Sequence, residues 1–363
     1  MTVDIERGIL SDRQIRAAYD GGWIRAETPF DHDQVQPASL DLRLGTVAYR
    51  VRASFLPGPA TTVADRISAL RLHEIDLTDG AVLETGCVYI VPLLEGLDLP
   101  PEIEASANPK SSTGRLDIFT RVITDRARAF DTIPAGYRGP LYLEVSPRTF
   151  PILARTGSRL SQIRFRRGDT RLSDEALLEL HRSAPLADGE AVIANGLCLS
   201  IDLKGSGDIV GYRAKRHTDV IDVDQRAALD VLDFWEPIGR RGRAELILDP
   251  DQFYILVSRE AVHVPPEHAA EMVAFDPLVG EFRVHYAGFF DPGFGHSAAG
   301  GAGSRAVLEV RSHEVPFILE HGQTVGRLVY ETMSERPSVL YGTGLGSNYQ
   351  AQGLKLSKHF RAP

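Results

Sequence analysis

With 363 residues the chain can build two cores of ordinary domain size, and its 43% apolar and 25% charged content is that of a globular protein. A formal charge of −9 argues against a protein that coats nucleic acid, while leaving room for a local basic pocket around one anionic ligand. Cys87 and Cys198 are too few for a disulfide framework or a Cys-rich zinc site, and no apolar run reaches the roughly 18 residues of a membrane span. The expectation is a cytoplasmic protein with neither membrane nor nucleic acid as partner.

In chain order, Ser11 followed by Gln14 predicts a capping box opening a short helix, with Ile15, Ala18 and Tyr19 as its apolar stripe and Gly21-Gly22 as its end. From Gln36 to Gly45, Leu40, Leu42 and Leu44 alternate with polar residues at strand period. Asp41, like Asp202 further on, reads as structural, holding a strand start or an Arg. Further strands are predicted from Val82 to Pro92, Leu116 to Ile123, Leu141 to Val145, Ile152 to Ala154 and Leu160 to Phe165, separated by Gly, Pro and Asp turns. Many short strands at this spacing predict an all-β fold, barrel or sandwich, with a few short helices. Ser173-Asp174-Glu175 then opens a helix running through Leu177, Leu178 and Leu180, and a polar linker extends from Ala184 to Asn195.

The first strands return in the second half. Adding 165 to Tyr89, Pro100, Pro101, Glu102, Leu143, Glu144, Val145, Pro151, Gly157 and Phe165 gives Tyr254, Pro265, Pro266, Glu267, Leu308, Glu309, Val310, Pro316, Gly322 and Tyr330. Ser39-Leu40-Asp41-Leu42 is echoed by Ser200-Ile201-Asp202-Leu203 at a slightly different offset. The chain therefore reads as a tandem duplication: a first unit over residues 1–170, a helical linker over 171–195 and a second unit over 196–363.

The chemistry sits where the copies differ. In the first, Lys110, Ser111, Ser112 and Arg115 offer short donors, a point charge and a bidentate fork suited to a di- or triphosphate. At the corresponding place the second copy has Phe275-Asp276-Pro277-Leu278, which would repel phosphate. It has instead His285 to Phe294, where small residues such as Ala287 and a turn at Asp291 let backbone groups approach a flat ring. His285 reads equally as a group near that ring or as a rim histidine. Each copy also carries a lone acid inside an apolar Leu-Glu-Val strand, Glu144 and Glu309, which costs several kcal/mol if charged and unpaired.

Gln36 to Gly45, Ser-Ser-x-x-Arg at 111 to 115, Phe290-Asp291-Pro292-Gly293, the two Leu-Glu-Val strands and Gly157 to Phe165 together resemble the dCTP deaminases of the dUTPase superfamily, in the form where two units are fused. The resemblance implies paired dUTPase-like, jelly-roll-like distorted barrels and hydrolytic deamination of dCTP to dUTP and ammonia, feeding dUMP and dTTP synthesis. It implies Mg2+ accompanying the triphosphate and no catalytic zinc. Zinc deaminases carry a Pro-Cys-x-x-Cys pair that is absent here, so a carboxylate must move the protons. The resemblance also implies a C-terminal lid holding Tyr341, Tyr349, Gln352 and Gly353, with Asn348 where the family has a lysine, so that Lys355 or Lys358 would compensate. Family sites lie between neighbouring units, which here predicts a composite site of Lys110, Ser111, Ser112 and Arg115 with Ala287, Asp291 and Glu309. The alternative keeps the chemistry on Glu144 facing another chain's first copy. A dUTPase-like diphosphatase using Asp291, alone or combined with deamination, and a non-catalytic nucleotide sensor are the other two function classes. A homo-oligomer is expected, because a trefoil of three units cannot be built from one two-unit chain.

Overall fold

The computed structural model describes residues 6–205, 207–240, 242–274, 282–284, 288–312, 314–342 and 352–361. Strands dominate and the helices are short. Ser11 caps the first helix, Asp12–Asp20, with the capping box closed as the sequence predicts: its hydroxyl accepts from the Gln14 N–H at 3.3 Å and its own N–H donates to the Gln14 side chain at 3.0 Å. The single run expected from Val82 to Pro92 is two strands, Ala81–Leu83 and Val88–Asp98. They are parted by a turn at Gly86, whose φ of 71° suits a residue without a Cβ.

In the first half, Arg71–Asp76, Val47–Val51, Val88–Asp98, Arg138–Pro147 and Ile118–Thr124 form one sheet. Gly8–Ile9, Arg159–Arg167, Ile103–Pro109 and Thr132–Ile133 form a second, with Leu40–Arg43 also paired to Arg159–Arg167. Val91, Leu141 and Leu143 of the first sheet meet Ala105, Ile163 and Phe165 of the second in one buried core. The second half repeats the scheme around its own core of Leu199, Leu256, Leu308, Val310, Ala270 and Tyr330.

Register shows how close the repetition is. Glu144 lies opposite Ile90 and Val145 opposite Tyr89; 165 residues on, Glu309 lies opposite Ile255 and Val310 opposite Tyr254. Ala105 faces Phe165 as Ala270 faces Tyr330. Even a side-chain detail recurs: the Glu84 N–H donates to the Tyr89 hydroxyl and the Asp249 N–H to that of Tyr254, both at 3.0 Å.

The halves are interlocked. Ile221–Asp222 adds in parallel to Ile152–Ala154, extending a sheet of the first half with a strand of the second. Trp235 packs edge-on against Phe150 at 5.4 Å and Phe360 at 6.1 Å, so the chain's last described residues close over the first core.

Candidate active site

Strand Ile103–Pro109 runs into a single helical turn, Ser111–Gly114, because Thr113 and Gly114 donate back to the Lys110 carbonyl at 2.8 and 3.0 Å. The first N–H groups of any helical turn lack intrahelical partners, and Lys110 supplies no side-chain cap here. The turn therefore presents donors to a cleft of about 340 Å3, within the range of small-molecule sites. Lys110, Ser111, Ser112 and Arg115 line one side; Phe289, Asp291, Val307, Glu309, Tyr341 and Gln352 line the other.

Glu309 reaches this cleft through strand alternation. In Ser304–Ser312, Ala306, Leu308 and Val310 point into the second half's own core, so Val307, Glu309 and Arg311 face the first half. Val307 packs into the first core, Arg311 pairs with Asp117 and donates to Thr149 at 3.1 Å, and Glu309 stands 4.0 Å from the Arg115 Nε. Burial pushes the Glu309 carboxyl up to about 8, with Arg115 pulling the other way. The Arg115 fork is held by the chain end, donating to the Lys355 carbonyl at 2.9 Å and the Gln352 side chain at 3.1 Å.

The matching alternation gives Glu144 a different neighbourhood. In Arg138–Pro147, Leu141, Leu143 and Val145 fill the core, while Tyr142 and Glu144 point outward. That outer face is covered by the first half's own segment around helix Val63–Leu70, where Val63, Ile67, Ile90 and Ile123 pack with Tyr142. Glu144 is 1% exposed and accepts two bonds from Arg121 at 2.6 and 3.0 Å; Arg121 lies 3.5 Å from the Phe130 ring centroid. Glu144 does not line the cleft.

Asp291 begins the turn that the sequence marks. Phe294 donates to its carbonyl at 3.1 Å, and at Gly293 (φ 95°) a Cβ would sit 2.8 Å from the Leu340 Cβ. Its carboxylate pairs with Arg164 at 3.1 Å, and burial raises its pKa despite that cation. Arg164 is fully buried, lying 4.0 Å from the Phe289 ring centroid and 3.6 Å from Glu331. His285, Ala287 and Tyr349, together with Asn348, lie outside the described residues.

Several groups at the cleft escape sequence reasoning. Asp41 and Arg43, the polar positions in the alternation from Leu40 to Leu44, are both buried: Asp41 pairs with Lys110 and lies 3.6 Å from Arg159, and Arg43 pairs with Glu95 at 2.7 Å. Asp41 thus lines the cleft, whereas Asp202 binds the Lys204 and Gly205 N–H groups and pairs with Arg305, the turn-holding role read for it. Arg159, bound to Asp31 at 2.6 Å and Asp33 at 2.8 Å, together with Arg226 and Lys358, brings further cations to the cleft beside the acids Asp33, Asp41 and Asp224. The signal for Asp41 was an acid inside an apolar alternation; for Arg226, in a loop of the other half, there was none.

Comparison with known proteins bears on this geometry. A family model described as the 2'-deoxycytidine 5'-triphosphate deaminase N-terminal domain matches residues 6–169, and that of the C-terminal domain matches residues 173–360. A curated relative from Beutenbergia cavernae, named "dCTP deaminase, dUMP-forming", is 32% identical over 158 residues, covering 43% of this chain and 78% of that protein. One from Halorubrum lacusprofundi, named "dCTP deaminase", is 34% identical over 161 residues, covering 43% and 76%. The crystal structure of 2'-deoxycytidine 5'-triphosphate deaminase from Agrobacterium tumefaciens is similar with a TM-score of 0.88 and 68% identity, over 92% of this chain and 99% of that one.

Proposed function

Because this chain belongs to the 2'-deoxycytidine 5'-triphosphate deaminase family, we propose that the cleft between its halves binds dCTP and hydrolyses the cytosine amine, releasing dUTP and ammonia. The observation that carries the reading is the meeting of Glu309 from one half with the Ser111–Arg115 turn of the other. Phosphates would lie on the Ser111 and Ser112 donors beside Lys110 and Arg115, and Mg2+ would arrive with the triphosphate. The ring would lie toward Phe289, Val307 and Asp291, joined by His285 and Ala287, under the closing segment of Tyr341, Tyr349 and Gln352.

Glu309 takes a proton from the water that attacks C4. Glu309 passes that proton to the ring nitrogen as the tetrahedral adduct forms, then takes the proton of the new C4 hydroxyl and gives it to the amine, which leaves as ammonia while the C4 carbonyl closes. An acid poised near neutrality by burial suits both transfers. The reading needs no catalytic zinc, because a carboxylate moves the protons. Glu144, neutralised by Arg121, is read as structural. In the same reading the two halves are dUTPase-like, jelly-roll-like barrels over 1–170 and 196–363, joined by 171–195.

The names of several relatives favour a second reading, in which dUTP is cleaved further to dUMP. The Asp291 ion pair with Arg164 argues against that acid activating a second water. Incubating the purified chain with Mg2+ and dCTP, then resolving nucleotides and ammonia, is expected to yield dUTP with one ammonia each. Appearance of dUMP and pyrophosphate would select the second reading, and saturable binding without turnover would select the nucleotide sensor over both.

The assembly is proposed to be a homo-oligomer. In the first half, strand Ile152–Ala154 is covered by Ile221–Asp222. Its counterpart Phe317–Glu320 pairs, among the described residues, only with Glu245–Leu248, and the facing Ile247 and Ile318 are 51% and 55% exposed. An open edge with an apolar face is a site for another strand. Light scattering on the eluting protein is expected to give a multiple of 39.8 kDa; a monomer would refute the assembly.

A further inference from the structure

One buried ion pair crosses between the halves directly behind the cleft wall. Arg164 lies on Arg159–Arg167 of the first half, is 1% exposed, and reaches into the second half. It donates to the Asp291 carboxylate and to the Ala270 carbonyl, both at 3.1 Å, and to the Ala38 carbonyl of its own half at 3.3 Å. Its guanidinium carbon stands 4.0 Å from the Phe289 ring centroid. Asp291 and Phe289 line the cleft, and Arg164 supports both from behind.

A guanidinium so placed does two things. Its planar fork fixes where the carboxylate and the ring stand. Its charge opposes the burial that raises the Asp291 pKa. The other charges facing Asp291 are Lys110, which acts with Arg164, and Asp41, which acts against it; those two pair with each other. Glu331 stands behind Arg164 at 3.6 Å, and Glu309 is the further acid on the cleft wall.

The internal repeat sets this pair apart. Ala270 faces Phe290 as Ala105 faces Ile133, so Asp291 corresponds to Pro134. Ala270 faces Tyr330 as Ala105 faces Phe165, so Arg164 corresponds to Val329. Cation and acid are present together where the halves enclose the cleft, and both counterparts are apolar. The fold shared by the two halves therefore does not call for the pair, which ties it to the cleft.

We propose that Arg164 is a positioning residue of the cleft, holding Asp291 as a charged acceptor and Phe289 in place for the nucleoside end of the ligand. This rests on the cleft being the nucleotide site. Arg164 acts on the ligand only through those two residues, so its effect is coupled to Asp291.

The test reads dCTP affinity by calorimetry with Mg2+ from pH 6 to 9 in a Glu309→Gln background, which removes the other titrating acid from the wall. Arg164→Met, Arg164→Lys and Asp291→Asn are added to it singly and in pairs across the two positions. Each affinity is taken relative to the background at the same pH, so that titration of the nucleotide itself cancels. Without the guanidinium, burial favours the neutral acid; Asp291 then ionises only at higher pH, and the loss falls on the acid side. Arg164→Met is expected to weaken dCTP about 10- to 100-fold at pH 6, with the loss shrinking at least about 3-fold by pH 9. Arg164→Lys, which keeps a charge without the fork, is expected to recover most of that affinity. Beside Asp291→Asn, either Arg164 change should cost no more than about 2-fold and show no pH trend. Should Arg164→Met fail to fold, the lysine variant carries the same comparison with an expected loss of about 3-fold that vanishes beside Asp291→Asn. A loss equal at every pH, a loss undiminished beside Asp291→Asn, or no loss at all would overturn the proposal. Ammonia release from dCTP by the unmodified chain is scored separately: its absence sinks the deaminase reading while the coupling of Arg164 to Asp291 still stands, and absence of dCTP binding sinks both.

Discussion

Glu309→Gln is expected to lower ammonia release by about 10²- to 10⁴-fold, the usual contribution of a positioned proton-transfer group, while changing dCTP affinity little. Gln keeps the shape of Glu309 on the cleft wall and cannot take up or give a proton. The same substitution is expected to stabilise the fold at alkaline pH. The folded carboxyl is raised from 4.5 to about 8, so the native state holds a proton that the unfolded chain has released. The stability linked to that proton is fully present below about pH 4.5, is lost progressively as pH rises, and is gone above about 8. Wild type should therefore weaken relative to Glu309→Gln across that window, by a few kcal/mol at its upper end, and the two should converge in acid. Urea melts at pH 4.5 and 8.5 read the difference. A variant that deaminates at the wild-type rate would remove Glu309 from the chemistry.

Glu144→Gln is expected to show the reverse pattern: ammonia release within about 3-fold of wild type, and a loss of stability of about 2–3 kcal/mol. Breaking a buried ion pair typically costs 3–5 kcal/mol; here the amide oxygen still accepts from Arg121, which is itself partly exposed, so the lower figure applies. Urea unfolding with an ammonia assay on the same preparation checks both halves of the expectation. If ammonia release collapses in a well-folded Glu144→Gln, the acid on that strand is the reactive one.

How far these two acids could be told apart from sequence is instructive. Their strands match residue for residue, so local pattern placed both as candidates and no more. What separates them is what covers the outer face of each strand: helix Val63–Leu70 and Arg121 for Glu144, the Ser111–Arg115 turn for Glu309. A second capping box, Thr62 with Asp65, opens that helix as Ser11 and Gln14 open the first, a short local signal set among strand patterns. The repeat register was legible because strand pairing fixes spacing along the chain. The buried pairs Asp41–Lys110 and Arg43–Glu95 were not, because alternation foretells which face a side chain takes and is silent on whether a distant partner buries it. The end of the chain presents the same difficulty. Leu354, Leu356 and Phe360 are visible as apolar residues, yet Phe150, Phe234 and Trp235 of the core that receives them lie more than a hundred residues upstream.

The interlocking of the two halves, with Ile221–Asp222 laid beside Ile152–Ala154 and Phe360 closing over the first core, carries a kinetic corollary. Donors and acid that separate subunits would have to bring together by collision are tethered on one polypeptide, where their effective concentration is set by the tether and not by how much protein is present. Dilution cannot part them. On the proposed reading, that tether also leaves one half free to specialise in grasping the substrate and the other in transforming it.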